Sequence, residues 1–136
     1  MKKVSIEKEI LNSSRVVAVV GLSPKPDRPS YNVANYLKEN GYKIIPVNPN
    51  AGEILEEVCY PDLSSIPEPV DVVDIFRRPE AVLPIVEEAI KIGAKAVWMQ
   101  EGVINEEAAA RAKEAGLLVV MDRCMLKEHR KLRLPS

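Results

Sequence analysis

The segment Arg15–Val20, which reads RVVAVV and is followed at once by Gly21, decides the fold. Its apolar run is nearly continuous instead of alternating, which is typical of a strand covered on both faces in a parallel sheet. Four further short apolar runs repeat this pattern along the chain: Lys43–Val47, Val70–Ile75, Ala96–Met99 and Leu117–Met121. The sequence therefore predicts a parallel sheet of about five strands with helices on both faces.

The stretches between these strands carry helix start and stop signals. Three candidate helices are each followed by glycine: Ser30–Asn40 with Ser30 as its cap, Pro79–Ile92, and Asn105–Ala115 with Asn105 as its cap. The repeated order of strand, helix, glycine and strand predicts right-handed βαβ crossovers, and hence a three-layer, doubly wound α/β domain. Glu53–Glu57 and Asp62–Ile66 are each predicted as a short helix or a loop. We expect one domain spanning residues 1–136.

The composition excludes several classes of protein. At 136 residues the chain can bury a core without disulfides or metals, and its formal net charge of -1 disfavours a general nucleic-acid binder. The apolar runs are far shorter than the roughly 18 residues that a membrane-spanning helix needs. The N-terminal MKKVSIEKEILNSS carries charges where a signal peptide would be apolar. We therefore expect a cytoplasmic protein that does not act at a membrane.

The chain contains two cysteines and one histidine. Cys59 and Cys124 are far apart and neither belongs to a Cys-x-x-Cys pair, which disfavours a disulfide framework or a zinc site. A single histidine excludes a metal site built from several histidines. No metal ligands are predicted.

The loop after the first strand is the strongest candidate for ligand binding, because ligands of doubly wound sheets bind at the carboxyl ends of the strands. It reads GLSPKPDRPSYN over residues 21–32. Gly21 permits a tight turn, three prolines stiffen the loop, and Lys25 and Arg28 supply cations. The helix starting near Ser30 offers free backbone amides to an anion. The loop predicts a phosphate or pyrophosphate site, with a solvated surface loop as the alternative.

Four absent sequence features narrow the choice of ligand and reaction. The first loop has no Gly-x-Gly-x-x-Gly, since Leu22, Ser23 and Pro24 follow Gly21. Asn48 closes the second strand where an NAD site would place an acid for the ribose hydroxyls. The chain also lacks a Walker A lysine pattern and a Gly-x-Ser-x-Gly elbow. Ordinary NAD binding, nucleotide hydrolysis and acyl transfer are thus disfavoured, whereas a variant NADP site with basic residues stays open.

The other strand-end segments add further candidates. Asn48 and Pro49 form a turn that is as readily structural as ligand-binding. Phe76, Arg77 and Arg78 place two guanidinium groups where a strand gives way to a helix, and such groups bind phosphate or stack on a purine. In the next segment, Trp98 is expected in the core, while Gln100 and Gly102 are the better ligand candidates.

The last strand-end segment contains Cys124 beside Arg123. Such a thiol can be a nucleophile or a redox group, and His129 suggests a Cys–His pair, but buried and inert cysteine is the commoner outcome. The basic residues that follow are expected to form a solvated helix face that adds to the phosphate field. No catalytic residue is predicted.

Five segments in this order resemble the small CoA-binding domain proteins related to the N-terminal domain of the succinyl-CoA synthetase α subunit. The resemblance runs from about Ile10 to His129, and these stretches carry it: VAVVGLSPKPDRPSYNVANYL (17–37), GYKIIPVNP (41–49), VDVVDIFRRPEAV (70–82), AVWMQEGVINEEAAARAKEAGL (96–117) and VMDRCMLKEH (120–129). The family pattern usually has glycine after the pair Ile54 and Leu55, where this chain has Glu56. The synthetase's phosphorylated histidine lies in parts of that enzyme outside these 136 residues, so ligase activity is not implied.

The resemblance implies a Rossmann-type sheet that binds coenzyme A (CoA) or acyl-CoA. It places the CoA phosphates against Gly21, Ser23, Lys25, Arg28 and Ser30. It places the nucleotide end near Asn48, Pro49, Phe76, Arg77 and Arg78. It places the pantetheine arm near Gln100 and Gly102.

Three functional hypotheses remain at this point. The first is a non-catalytic CoA carrier or sensor. The second is a redox protein that uses NADP, or the CoA thiol, with Cys124. The third is an interaction subunit of a larger CoA-ligase-like complex, and the oligomeric state, including a homo-oligomer, stays open.

Overall fold

The computed structural model describes residues 4–133, in which seven strands and five α-helices follow one another. The strands are β1 (Val16–Val20), β2 (Lys43–Val47), β3 (Glu53–Ile54), β4 (Glu57–Val58), β5 (Val72–Ile75), β6 (Ala96–Met99) and β7 (Leu118–Val120). The helices are α1 (Ile6–Ser13), α2 (Pro29–Glu39), α3 (Val82–Lys91), α4 (Glu106–Glu114) and α5 (Met125–Leu132).

Five of these strands form one parallel sheet in the order β2-β1-β5-β6-β7. The prediction of a five-strand parallel α/β sheet is therefore confirmed. The chain moves outward from β1 to β2 on one side and from β5 to β7 on the other, so the strand order reverses between β1 and β5. Crevices at this point of a doubly wound sheet are where ligands bind.

Helices cover both faces of the sheet, as the continuous apolar strands require. Ala18 and Val20 of β1 pack into a core cluster with α3 and α4, and Val17 and Val19 pack into a second cluster with α1, α2 and α5. Trp98 lies in the second cluster and is 0% exposed, which confirms its predicted place in the core. No helix within residues 4–133 is long and apolar enough to cross a bilayer.

Two strands begin later than predicted, β1 at Val16 and β5 at Val72. At this end of the sheet, Asp71 Oδ2 accepts from the amides of Arg15 and Val16, each at 2.9 Å. Burial alone raises the pKa of the Asp71 carboxyl, but these hydrogen bonds and the Lys95 ammonium outweigh it and hold the pKa below its usual value. At the other edge, β7 is also shorter than predicted, covering Leu118–Val120.

Two predicted helix starts need correction, whereas the Asn105 cap is confirmed. Helix α2 begins at Pro29, and the buried Ser30 sits inside its first turn instead of capping it. Pro79 opens a 3₁₀ turn over Pro79–Ala81, and α3 begins only at Val82. Asn105 Oδ1 accepts from the amide of Ala108 at 2.9 Å, as expected of a cap.

The prediction of a helix or loop at Glu53–Glu57 is wrong, because β3 and β4 form an antiparallel hairpin there. Leu55 and Glu56 connect the two strands with φ values of 55° and 65°, so both adopt a left-handed conformation without glycine, at the place where the family pattern usually has glycine. The 3₁₀ helix Leu63–Ser65 confirms a short helix within Asp62–Ile66.

Candidate functional site

A cavity of about 720 Å³ opens at the carboxyl edge of the sheet, next to the reversal of strand order. Its walls are the loops after β1, β5 and β6, the first turn of α2 and the start of α5. Most residues named in the sequence analysis line it: Gly21, Ser23, Lys25, Arg28, Ser30, Phe76, Arg77, Arg78, Gln100 and Gly102. Segments as distant in sequence as Gly21 and Cys124 are thus brought to one concave surface.

A second, smaller cavity of about 410 Å³ lies beside the first, at the ends of β1 and β2. It holds the two remaining predicted residues, Asn48 and Pro49, and it shares Gly21 and Arg77 with the first cavity. Asn48 also holds the site together: its Nδ2 donates to the carbonyl of Leu22 at 2.9 Å, and its Oδ1 accepts from the amide of Asn50 at 2.8 Å. Its amide therefore joins the first two strand-end loops.

Gly21 lies at the junction of the two cavities, and the site leaves no room for a side chain there. Its φ is +86°, and a Cβ atom would lie 2.3 Å from the carbonyl oxygen of Phe76. The ends of β1 and β5 therefore approach each other through a glycine, which is the role that a tight turn off the first strand requires.

The first loop is held in shape by its own hydroxyl groups. Ser30 Oγ accepts from the amide of Ser23 at 3.0 Å, and Ser23 Oγ accepts from the amide of Lys25 at 3.1 Å. Pro29 has no N–H, and the amide of Ser30 donates to no group among residues 4–133. The loop thus presents an unused backbone donor at the start of α2, where the helix dipole favours an anion.

Cations on two separate loops line the same cavity as the backbone amide of Ser30. Lys25, Arg28 and Arg77 are exposed, and within the described part of the chain none of them forms an ion pair. Arg78 approaches Glu80 at 3.4 Å across a well-exposed surface. Lys25, Arg28 and Arg77 therefore give the cavity rim positive charge without an ion-pair partner in the described chain, although the whole chain is nearly neutral.

Glu101, an acidic residue of the cavity lining, forms an ion pair with Lys127. Both carboxylate oxygens of Glu101 accept from Lys127 Nζ, at 2.9 and 3.1 Å. The neighbouring Gly102 donates its amide to Asp122 Oδ1 at 2.8 Å, which fixes the loop after β6 against the loop after β7. Lys127 thus removes the repulsion that Glu101 would exert on an anionic ligand.

Gln100 joins the cavity wall to α5. It is 4% exposed, and its Oε1 accepts from the amide of Met125 at 3.1 Å. Since a backbone amide can only donate, this contact fixes the orientation of the carboxamide. Cys124, the residue before Met125, is 8% exposed and lines the same cavity.

Several lining residues escaped the sequence analysis. Val33 and Val103 are buried apolar residues of the wall, and Glu101 belongs to its rim. Val33 follows Ser30 by about one helical turn, a spacing that could have placed it on the same side of α2. Nothing in the sequence pattern pointed to Val103.

Asp74 was also missed, and it is the most unusual buried group of the molecule. It is 0% exposed, and neither carboxylate oxygen has a hydrogen-bond partner in the described chain. Burial raises the pKa of this carboxyl well above its usual value. In the sheet it pairs with Val19 and Trp98, two residues before Phe76, which lines the larger cavity.

His129, which the sequence suggested as a partner of Cys124, contacts two tyrosines in the structure. His129 Nδ1 lies 2.8 Å from the hydroxyl of Tyr36, and its ring packs edge-on against Tyr42. Burial and the nearby Arg133 lower the pKa of His129. His129 thus fastens α5 to α2, and the basic residues around it form the expected exposed helix face.

Comparisons with known proteins identify the family and support the fold. The family described as CoA binding domain matches residues 15–130. An uncharacterized protein of Bacillus subtilis, YneT, is 43% identical over 122 residues, which are 90% of this chain and 90% of that protein. A solved structure of a hypothetical protein from Pyrococcus horikoshii is 42% identical, with a TM-score of 0.92, over 98% of this chain and 100% of the other.

One relative is an enzyme of much greater length. Acetate–CoA ligase [ADP-forming] II of Archaeoglobus fulgidus is 37% identical over 99 residues, which are 71% of this chain and 15% of the ligase. Together with the match to residues 15–130, these relationships show that the chain belongs to the family of CoA-binding domains.

Proposed function

We propose that the protein binds CoA or acyl-CoA in the two adjoining cavities and acts as a non-catalytic carrier or sensor. The observation that carries this proposal is the group of cations on two loops, Lys25, Arg28 and Arg77, which have no described acidic partner and face a cavity at the reversal of strand order. Membership of the CoA-binding domain family supports CoA as the ligand.

The chemistry of CoA suits this arrangement. CoA carries a pyrophosphate and a separate 3′-phosphate, so cations on different loops are needed. The unused amide of Ser30 and the side chains of Lys25 and Arg28 are placed to bind the pyrophosphate. Arg77, which borders both cavities, is placed between the phosphates and the nucleotide end.

The two ends of CoA then occupy different cavities. The smaller cavity with Asn48 and Pro49 takes the nucleotide end, and Phe76 and Arg78 flank the path between the cavities. The pantetheine arm runs along the larger cavity, past Gly102 to Gln100. Its mixed lining, apolar at Val33 and Val103 and polar at Gln100, matches an arm that is itself part apolar and part amide.

The same geometry argues against ordinary NAD binding. At the end of β2 an NAD site places a carboxylate on the ribose hydroxyls. Here the corresponding Asn48 has both polar atoms of its side chain engaged, with Leu22 and Asn50. The name of the ligase relative also points to CoA chemistry, although the whole ligase activity belongs to a protein much longer than the matched region.

Native mass spectrometry of freshly purified protein tests the proposal without prior choice of a ligand. We expect a stoichiometric adduct with the mass of CoA or an acyl-CoA, released on denaturation and identified by its fragments. A dinucleotide adduct would favour the redox hypothesis and overturn the proposal. Protein without an adduct should acquire CoA when CoA is added, and failure to do so would also overturn it.

A further inference from the structure

The larger cavity brings a cysteine to the place where the proposed ligand ends in a thiol. Cys124 lines the cavity together with Gln100, at the end of the path assigned to the pantetheine arm. It is the last residue before α5, and its side chain forms no capping hydrogen bond with that helix. The side chain also packs at the edge of the second core cluster, so Cys124 borders both the core and the cavity.

Gln100 is an independent sign that a ligand reaches this end. Its side chain is almost fully buried, and Met125 occupies its oxygen, which leaves the Nε2 amino group facing away from that contact. Nε2 donates to no partner among residues 4–133. Nε2 is not among the fully enclosed unpaired atoms of the described chain, so it is accessible from the cavity that Gln100 lines, where a polar group of a bound ligand can accept a hydrogen bond from it.

We propose, on the basis of the proposed function, that Cys124 undergoes thiol–disulfide exchange with CoA disulfides and so holds CoA covalently in the cavity. The Cys124 thiolate attacks the CoA sulfur of a disulfide R–S–S–CoA. A new S–S bond joins Cys124 to CoA, the original S–S bond breaks, and R–S⁻ leaves and takes up a proton. Cys124 is oxidised, the R–S sulfur is reduced, and no other oxidant is needed.

The second cysteine provides a matched control within the same chain. Cys59 is more exposed than Cys124 and lines neither cavity at the carboxyl edge of the sheet. Burial raises the pKa of the Cys59 thiol, with a smaller contribution from Glu53. A reaction governed by access alone would favour Cys59, whereas a reaction directed by CoA binding favours Cys124.

The test uses reduced Cys59→Ser protein, in which Cys124 is the remaining thiol, with Cys124→Ser protein alongside. Each is mixed with CoA disulfide or with glutathione disulfide, and intact mass is followed over time. We expect Cys59→Ser to gain one CoA at least about tenfold faster than one glutathione, with the adduct removed by a reducing agent. Excess desulfo-CoA, which lacks the thiol, should block the reaction, and Cys124→Ser should show no such preference.

Calorimetry of Cys59→Ser with reduced CoA separates the two claims. If CoA binds but the adduct forms no faster than with glutathione, or desulfo-CoA gives no protection, the exchange at Cys124 is overturned and the proposed function stands. An equal preference for CoA disulfide in Cys124→Ser would also overturn it. If reduced CoA does not bind at all, the proposed function fails and the exchange fails with it.

Discussion

Gly21 and Phe76 approach so closely that a Cβ atom on Gly21 would lie 2.3 Å from the carbonyl oxygen of Phe76. This contact joins the ends of β1 and β5, the two strands between which the sheet order reverses. The crevice that forms there owes its shape to a missing side chain. The proposed phosphate site and the core of the sheet therefore depend on the same residue.

The first prediction is that Gly21→Ala weakens both folding and CoA binding. The new methyl group must displace the backbone at Phe76 and adopt a left-handed conformation, so we expect a loss of about 2–5 kcal/mol in the free energy of unfolding. Gly52→Ala is the matched control, because Gly52 has no positive φ and open space around its Cβ position. Urea denaturation of both variants checks the prediction, and equal stability of the two would contradict it.

The second prediction concerns the buried Asp74. Its pKa is raised in the folded state, so the folded protein keeps a proton that the unfolded chain releases near the ordinary value of 3.8. The stabilisation that Asp74 contributes to the folded protein is therefore complete below pH 3.8 and is lost as the pH rises toward the folded-state pKa of Asp74. Asp74→Asn removes the titration, and its stability relative to wild type should grow by up to about 1.4 kcal/mol per pH unit in that range.

Denaturation curves of both proteins at a series of pH values measure this difference. A stability difference between Asp74→Asn and wild type that does not change with pH would show that the folded pKa is not raised.

The third prediction is that Asp71 changes the stability with pH in the opposite direction to Asp74. The folded state lowers its pKa, so its carboxylate stabilises the protein above the ordinary value of 3.8 and loses that contribution as the pH falls through the folded pKa. We expect wild type to be more stable than Asp71→Asn at neutral pH, with the gap closing in acid. A gap that widens in acid would be inconsistent with the hydrogen bonds from Arg15 and Val16.

The fourth prediction concerns the hairpin turn. Glu56 has a φ of 65°, a conformation that costs a non-glycine residue about 1–2 kcal/mol. A glycine would avoid this cost, but part of the gain is lost because glycine has more conformational entropy in the unfolded chain. Glu56→Gly should therefore stabilise the protein by about 0.5–1 kcal/mol. Glu53→Gly, in strand β3 of the same hairpin, should instead destabilise it. Thermal denaturation would contradict the account if both changes acted in the same direction.

The fifth prediction tests the cations. Lys25→Ala combined with Arg28→Ala should weaken CoA binding at least about tenfold, or about 1.4 kcal/mol. Lys91→Ala combined with Lys113→Ala removes the same type of charge from two exposed helix positions outside both cavities and should leave the affinity unchanged. Equal losses in the two double variants would mean that net charge, and not the first loop, attracts the ligand.

The fold could be predicted because its strands are buried on both faces. Runs such as Val16–Val20 are apolar throughout, which is the pattern of a strand buried on both faces. The glycines after the helices mark where each helix ends. The hairpin at Leu55 and Glu56 could not be predicted, because its strands are two residues long and its turn lacks glycine. Strand β4 of the hairpin also packs against β2, and such a tertiary contact cannot be read from the local sequence.

The candidate site could be predicted at the level of loops but not of hydrogen bonds. Parallel strands place their carboxyl ends at one edge, which is why residues as distant as Gly21 and Gln100 could be grouped in advance. The contact between Gln100 and Met125 spans 25 residues and depends on how α5 docks, so no spacing rule reveals it. Ser30 was similarly misplaced, because Pro29 can start a helix without a side-chain cap.

A cavity built for CoA should discriminate against dinucleotides. Isothermal titration calorimetry of the reduced protein with CoA, NADP and NAD, under one buffer and one salt concentration, measures the preference directly. We predict one CoA per chain, bound at least about tenfold more tightly than either dinucleotide. Binding of NADP or NAD with an affinity equal to or greater than that of CoA would show that the cavity is not specific for CoA.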